Sequence, residues 1–336
     1  MQSYVIRPAD GFDALTRTTR ETPPLGATDV RVRVRATSLN FRDLAILRGA
    51  AKRKAPVVPL SDGAGDVVAV GPAVTRVAVG DRVAASFFPT WIDGDFFADA
   101  HAHALGGAID GMLAEEVVLD ERAWVRVPAH FSDEEAATLP CAAVTAYNAL
   151  FEGRRVGPGD TVLLLGTGGV SIFALQLAKA AGARVVLTTS RAEKGERARA
   201  LGADHVIDYA ATPDWGVAAR EWSGTGVDLV VEVGGPKTFD QSVDAARYGG
   251  AISLLGVLTG VRGDVALYPI FHKALTVRGV YVGSVRMFES LTRALTATGI
   301  RPVIDRVFPF DEARGAYEYL ASAAHLGKVV IRGVGE

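Results

Sequence analysis

The sequence predicts an α/β chain of two domains, a doubly wound parallel sheet and a small β-rich barrel or sandwich. Three observations predict it. From Thr161 onward apolar strands alternate with helical patterns, which builds a parallel sheet with helices on both faces. The first third instead carries short strands broken by Gly and Pro turns. The length, 336 residues, suits two domains at roughly 150 residues each.

Taken in order, Val30 to Arg35 alternates apolar and charged residues, as a half-buried strand does. Gly63 to Val70 reads as a strand closed by Gly71-Pro72. Val79 to Ala84 is a turn into a strand, and Val117 to Leu119 and Trp124 to Val127 continue the series. Ser86 to Leu113 has no steady period and holds Phe87, Phe88, Trp91, Phe96 and Phe97. It reads as a long surface lobe, and long irregular loops in compact domains are often functional.

After about Ala129 the character changes. Ser132 to Glu135 has the form of a capping box, and Ser190 to Glu193 repeats it before a helix that stops at Gly202. Thr161 to Leu165 is a buried strand. Val170, Phe173, Ala174, Leu177, Ala178 and Ala181 form one helical stripe. Further strands are expected at Arg184 to Thr189, His205 to Ile207, Val227 to Val233, Ala251 to Leu255 and Leu275 to Val282. Ser284 to Thr298 and Asp311 to Ala321 read as helices, and Arg301 to Phe308 and Lys328 to Arg332 as strands. The expected domains are 1–128, 129–284, and a return of residues 285–336 to the first.

Composition narrows the function classes. Hydrophobic residues at 49% and charged residues at 22% fit a globular protein. A net charge of -2 gives no steering toward nucleic acid or an anionic membrane. The single cysteine, Cys141, fits a reducing compartment. The N-terminus lacks the pattern of a signal peptide, and no uncharged apolar run reaches the ~18 residues of a membrane span. A cytoplasmic protein with a small-molecule substrate is expected.

The chemistry starts at Gly166-Thr167-Gly168-Gly169-Val170-Ser171. A tight turn from a buried strand into a helix points free helix N–H groups at a ligand, and glycines let a pyrophosphate come close. The next strand ends Thr189-Ser190-Arg191, with Lys194 one turn on and no carboxylate to hold a ribose hydroxyl. A hydroxyl and two cations favour the 2′-phosphate of NADP over NAD.

The whole pattern resembles the medium-chain dehydrogenase/reductase superfamily of zinc alcohol dehydrogenases and quinone oxidoreductases. Its carriers are Ala36 to Asp43, Pro59 to Gly65, Val79 to Val83, Ala136 to Ala142, Gly166 to Ser171, Ala200 to Asp204 and Gly327 to Ile331. The resemblance implies a Rossmann cofactor domain, a GroES-like β-barrel catalytic domain and a homodimer. It implies Tyr209 and Lys194 near a 2′-phosphate, and Gly234, Leu255 and Gly256 along the cofactor. It implies Val282 and Gly283 beside the nicotinamide and Lys328 reaching toward the phosphates.

Asn40 and Ser61-Asp62 stand where zinc members carry Cys and His-Glu, and only Cys141 keeps its thiol. A catalytic zinc takes three protein ligands, so no metal is expected. Hydrogen bonds must then stabilise the oxyanion. The candidates are Asn40, Ser61 and Cys141, with Thr145 and Tyr147 one turn further, and Asp43 and Asp62 to hold an Arg such as Arg42 or relay a proton. Thr145 and Tyr147 read equally as helix packing, and Asp43 as a cap. The expected function is NADPH-dependent hydride transfer to a carbonyl or conjugated alkene of a mostly apolar molecule, with the Ser86 to Leu113 lobe as an apolar wall. A zinc alcohol dehydrogenase and a non-catalytic NADP-binding protein are the alternatives.

Overall fold

Both predicted layers form. The structure is a computed structural model that describes residues 1–335, and it divides into one unit of 1–144 with 282–335 and a second of 145–281. Strands are numbered β1 to β15 and helices α1 to α10 along the chain.

The first unit opens with an antiparallel hairpin, β1 (Gln2–Ile6) and β2 (Leu15–Thr19). The sequence did not announce it, because Leu15-Thr-Arg-Thr-Thr19 offers one apolar residue to a strand pattern. The main sheet holds β3 (Asp29–Leu39), β4 (Asp62–Val70), β5 (Arg82–Ala85), β6 (Glu116–Asp120), β7 (Trp124–Arg126), β14 (Ile304–Pro309) and β15 (Lys328–Arg332). Its order is β14-β15-β3-β4-β5-β7, with β6 paired to β3. Val30, Val32 and Val34 of β3 are buried and Arg33 is exposed, as the alternation predicts. The chain from Val282 onward belongs to this unit, with α9 (Val285–Thr298) capped by Ser284 and α10 (Ala313–Ala321) against β14 and β15.

The first boundary falls at Val144/Thr145, not at 128/129. Ser132 and Glu135 do make the predicted capping box, with Glu135 N donating to Ser132 Oγ at 3.2 Å and Ser132 N to Glu135 Oε2 at 2.8 Å. But α2 (Asp133–Ala137) packs on β3, β4 and β5, so burial against the barrel holds this segment in the first unit. The lobe also differs from expectation. Phe87, Phe88 and Trp91 are fully buried and meet edge-on, so they form the lobe's own core. Only Phe96 and Phe97 remain exposed to serve as a wall.

The second unit has six parallel strands in the order β10-β9-β8-β11-β12-β13. They are β8 (Thr161–Leu165), β9 (Arg184–Thr189), β10 (His205–Asp208), β11 (Val227–Glu232), β12 (Ala246–Leu254) and β13 (Thr276–Gly279). The central strand β8 is apolar from Val162 to Leu165 because both its faces are covered. The connecting helices are α4 (Gly169–Ala180), α5 (Ala192–Ala200), α6 (Trp215–Ser223) and α7 (Pro236–Ala245), with α3 (Val144–Phe151) leading in and α8 (Tyr268–His272) before β13. The strand order reverses between β8 and β11, and ligands of such sheets bind beyond the strand ends at that point. No helix among the described residues is long and apolar enough to cross a membrane.

One predicted cap is absent. Arg191, not Ser190, is the N-cap of α5, and its side chain makes no capping bond there. The strand runs to Thr189, which leaves Ser190 one residue too early to reach the helix.

Candidate active site

Strand register builds the first cluster. Ser38 pairs with Asp62 across β3 and β4, and Val329 pairs with Leu39 across β15 and β3, so Lys328 arrives beside Asn40. The entry to β4 is held tightly. Leu60 takes φ 68°, a left-handed conformation that a leucine adopts only under constraint. The constraint is visible nearby: a Cβ on Gly106 or Gly111 would lie 2.5 or 2.1 Å from the Leu60 backbone.

Asp62 is fully buried and accepts three hydrogen bonds, from Ser61 Oγ at 2.9 Å, Ser38 Oγ at 3.0 Å and Lys328 Nζ at 3.3 Å. Lys328, 2% exposed, also donates to Asn40 Oδ1 at 2.6 Å and to Leu39 O at 2.8 Å. This corrects the expectation for Lys328. Its three N–H groups have three acceptors inside the first unit, which leaves none for a phosphate.

The expectation that Arg42 serves Asp43 and Asp62 holds for Asp43 alone and is corrected for Asp62. Arg42 Nη1 donates to Leu105 O at 2.9 Å, and its guanidinium lies 4.5 Å from the Phe87 ring centroid. It ties α1 (Phe41–Arg48) to the lobe and stays 3.8 Å from Asp43 Oδ1. The cation on Asp62 is Lys328, a partner 266 residues away in sequence.

Asp43 caps α1 by accepting from Asn40 N at 2.7 Å. Its other oxygen, in an ion pair with Arg42, and the hydroxyl of Tyr317 are both buried without a hydrogen-bond partner. Burial pushes the Asp43 carboxyl up to about 6 from the ordinary 3.8, against the pull of Arg42 and the Asn40 N–H. An acid with a raised folded value contributes stability that is full below pH 3.8 and is lost as pH rises through about 6. Wild type should therefore lose up to ~3 kcal/mol relative to Asp43→Asn across that window. Urea midpoints of both proteins through the window check it, and a constant difference between them would refute it.

Cys141 follows α2 in a turn of π-helix, Leu139–Ala143. Burial, and then the Asp62 charge, push its thiol well above the ordinary range, so it stays protonated and can donate. Thr145 and Tyr147 belong to the second unit, where Tyr147 packs on Phe151 with ring centroids 5.2 Å apart. Among the described residues no three His, Cys, Asp or Glu side chains are grouped to hold a metal. In the lobe, His103 Nδ1 lies 3.0 Å from Asp99 O and His101 lies against Phe88 and Phe96.

The second unit presents the glycine turn at the switch point. Gly166 takes φ 70° and its N–H bonds Thr188 O at 2.8 Å. A Cβ on Gly166 or on Gly168 would meet nothing within 4 Å, so the turn borders an open cradle. Thr167 is buried beneath it and α4 starts at Gly169 and Val170 with no side-chain cap on its N–H groups. Ser171, in place of a third glycine, donates to Leu165 O at 2.7 Å and fastens the helix to its strand. These residues fit a pyrophosphate. Beside them Ser190 and Arg191 are exposed, Lys194 lies on the first turn of α5, and Tyr209 is 45% exposed with its N–H on Thr189 O.

A residue the sequence reading passed over organises the rest of this surface. Glu232, fully buried, accepts from Gly234 N at 2.6 Å, Gly235 N at 2.9 Å, Thr238 Oγ1 at 2.7 Å and Ser242 Oγ. Its carbonyl accepts from Leu255 N at 3.0 Å and Gly256 N at 3.2 Å. The available signal was a carboxylate at the end of an apolar strand, just before Gly234-Gly235. Val282 and Gly283 lie in the first unit, where Val282 takes φ 54° and a Cβ on Gly283 would lie 2.6 Å from Val144 Cγ1.

Comparisons with known proteins agree with this layout. Residues 26–129 match the alcohol dehydrogenase GroES-like domain, and residues 169–297 match the zinc-binding dehydrogenase domain. A zinc-type alcohol dehydrogenase-like protein of Schizosaccharomyces pombe is 45% identical, over 98% of both chains. The crystal structure of a putative alcohol dehydrogenase from Sinorhizobium meliloti superposes with a TM-score of 0.91 at 39% identity, covering 98% of both chains. A 2-octenoyl-CoA carboxylase reductase, solved in complex with NADP and 2-octenoyl-CoA, has a TM-score of 0.87 at 26% identity over 99% of this chain and 88% of its own. With both domain types matched in order and the relatives covered from end to end, the chain belongs to the medium-chain dehydrogenase/reductase superfamily and is an oxidoreductase of its alcohol dehydrogenase-like and reductase-like branch.

Proposed function

We propose that this oxidoreductase uses NADPH to reduce a polarised double bond, a carbonyl or a conjugated alkene, on a small and mostly apolar molecule, without a catalytic zinc. The observation that carries the reading is the Lys328 ammonium on Asp62. A zinc at that place would need three protein ligands. Asp62 is already engaged with Lys328, Ser38 and Ser61, Asn40 and Ser61 are poor zinc ligands, and Cys141 by itself is one ligand of the three. The residues present do not fit the metal.

Bound NADPH would supply the hydride. Gly166 to Val170 would hold its pyrophosphate, and Ser190, Arg191, Lys194 and Tyr209 its 2′-phosphate. The chain's own task at the substrate is to donate hydrogen bonds to the oxygen that gains charge, which hydrogen-bond donors in a water-poor site do well. The polar cluster of the first unit supplies them.

The test is oxidation of NADPH by purified protein with a quinone, an enone, a ketone and an enoyl-CoA thioester, together with metal analysis. Turnover without bound zinc, insensitive to chelators, is expected. One zinc per chain with chelator-sensitive turnover would overturn the metal-free reading, and binding without turnover on any acceptor would favour the non-catalytic one. The cofactor assignment has its own variant. Arg191→Ala should weaken NADPH about tenfold, the loss of roughly one charge-assisted contact, while leaving NADH unchanged. Equal affinities for both cofactors before and after the change would remove the 2′-phosphate assignment.

We also infer a homodimer in a reducing, cytoplasmic setting. The strand β13 is an open edge, and Val261, Leu267 and Phe271 in the chain segment leading to it are 80%, 67% and 68% exposed. An open edge and exposed apolar residues each call for a partner. A solution mass of one chain would refute this.

A further inference from the structure

We propose that Lys328 is a positioning residue that fixes the Asn40 amide so that its N–H2 group is the donor to the substrate's developing oxyanion. The inference rests on the zinc-independent reductase reading and names the device that replaces the metal.

Which end of an asparagine amide carries oxygen is usually decided by its partners. Here the partner decides it. A lysine ammonium only donates, and Lys328 Nζ lies 2.6 Å from the Asn40 side chain, so the atom it meets is Oδ1. The nitrogen must then point the other way. That Nδ2 atom is buried and has no hydrogen-bond partner in the protein. A buried donor without an acceptor is costly, and native structures keep one mainly where a ligand or water completes it.

The other donors of the cluster are committed. Ser61 Oγ donates to Asp62 Oδ1 at 2.9 Å and Ser38 Oγ to Asp62 Oδ2 at 3.0 Å. Lys328 itself has one acceptor for each N–H, at Leu39 O, Asn40 Oδ1 and Asp62 Oδ2. It therefore acts through Asn40 and not on the substrate. The Cys141 thiol is a weak donor by its chemistry. Asn40 is the one neutral amide donor the cluster leaves open.

The ammonium does more than orient. A cation on the carbonyl end of an amide polarises it and strengthens hydrogen bonds given by the nitrogen, and low local dielectric enlarges the effect. Asp62 in turn neutralises and anchors the ammonium, with Ser38 and Ser61 filling its remaining lone pairs. Where a zinc would meet the oxyanion directly, the positive charge here works one amide removed.

Coupled variants test this. Asn40→Leu removes both ends of the amide without burying a charge. Lys328→Met combined with Asp62→Asn removes both charges together, which avoids stranding one of them in the core. Each should lower kcat about 100-fold, the scale of losing one oxyanion donor, with the NADPH dissociation constant unchanged. The triple variant should lose no more than Asn40→Leu alone, because the two changes act through one bond. Lys328→Arg, which keeps the cation, should recover most of the activity. Wild-type kcat in the double variant, losses that multiply in the triple variant, or a weakened NADPH affinity with kcat intact would each overturn the inference. A wild-type protein that transfers hydride to no acceptor would instead overturn the reading beneath it, and this inference with it.

Discussion

Gly168→Val should leave the protein as stable as wild type, within about 0.5 kcal/mol, and weaken NADPH binding by about 100-fold or more, ~2.8 kcal/mol. The two halves of that result have separate causes. Gly168 takes φ -73° and ψ 177°, an extended conformation open to any residue. A Cβ there meets nothing within 4 Å. Neither strain nor packing therefore requires glycine at this position. What the missing side chain leaves is a free approach to the start of α4, whose first N–H groups no side chain caps. An isopropyl group would stand where a pyrophosphate must come close. Gly166 is the useful contrast: its φ of 70° makes glycine part of the turn itself, so Gly166→Val should cost stability as well. Denaturant midpoints and NADPH titration of both variants make the comparison. Unchanged NADPH affinity in Gly168→Val would mean the turn only connects a strand to a helix.

The glycine turn was legible because its signal is local. Strand, turn and helix occupy consecutive residues, and periodicity reports each of them. The same holds for the parallel sheet, whose buried strands are runs of Val and Leu, and for the Ser132 cap. The polar cluster was legible only in part. Its members Asn40, Ser61, Asp62 and Cys141 could be picked out, but not who bonds whom. Arg42 looked like the partner of Asp62 because it is near in sequence, yet it lies against Phe87 and Leu105. Lys328 is the partner because β15, β3 and β4 lie side by side, and register between strands far apart in sequence is a tertiary fact. The first domain boundary failed for a related reason. A capping box marks where a helix starts, not which core it covers. The lobe misled in another way. Its aromatic residues have no period, so they read as surface, although Phe87, Phe88 and Trp91 fill a core of their own.

Glu232→Ala should destabilise the protein by ~4 kcal/mol and weaken NADPH binding with it. The carboxylate collects four donors, two of them the backbone N–H groups of Gly234 and Gly235. Buried backbone donors left unpaired cost ~1–3 kcal/mol each, and the cavity left by the side chain adds to this. Relaxation offers little relief. A Cβ on Gly234 would lie 2.2 Å from Thr238 Oγ1, and one on Gly256 would lie 1.9 Å from Val233 O, so backbone already meets its neighbours here. Glu232→Gln should cost less, ~1–3 kcal/mol, since one oxygen keeps accepting while the new NH2 group faces donors. The expected loss of affinity follows from where the bonds go. Gly234 hangs on the Glu232 side chain, and Leu255 and Gly256 on its carbonyl. These are the three positions the family pattern places along the cofactor, and one residue at the end of β11 holds them all. Denaturant midpoints and NADPH titration of the two variants separate the effects. A Glu232→Ala protein within 1 kcal/mol of wild type would show that water or a shifted backbone satisfies these donors. Full stability loss with wild-type affinity would show that Gly234, Leu255 and Gly256 support the fold and not the cofactor.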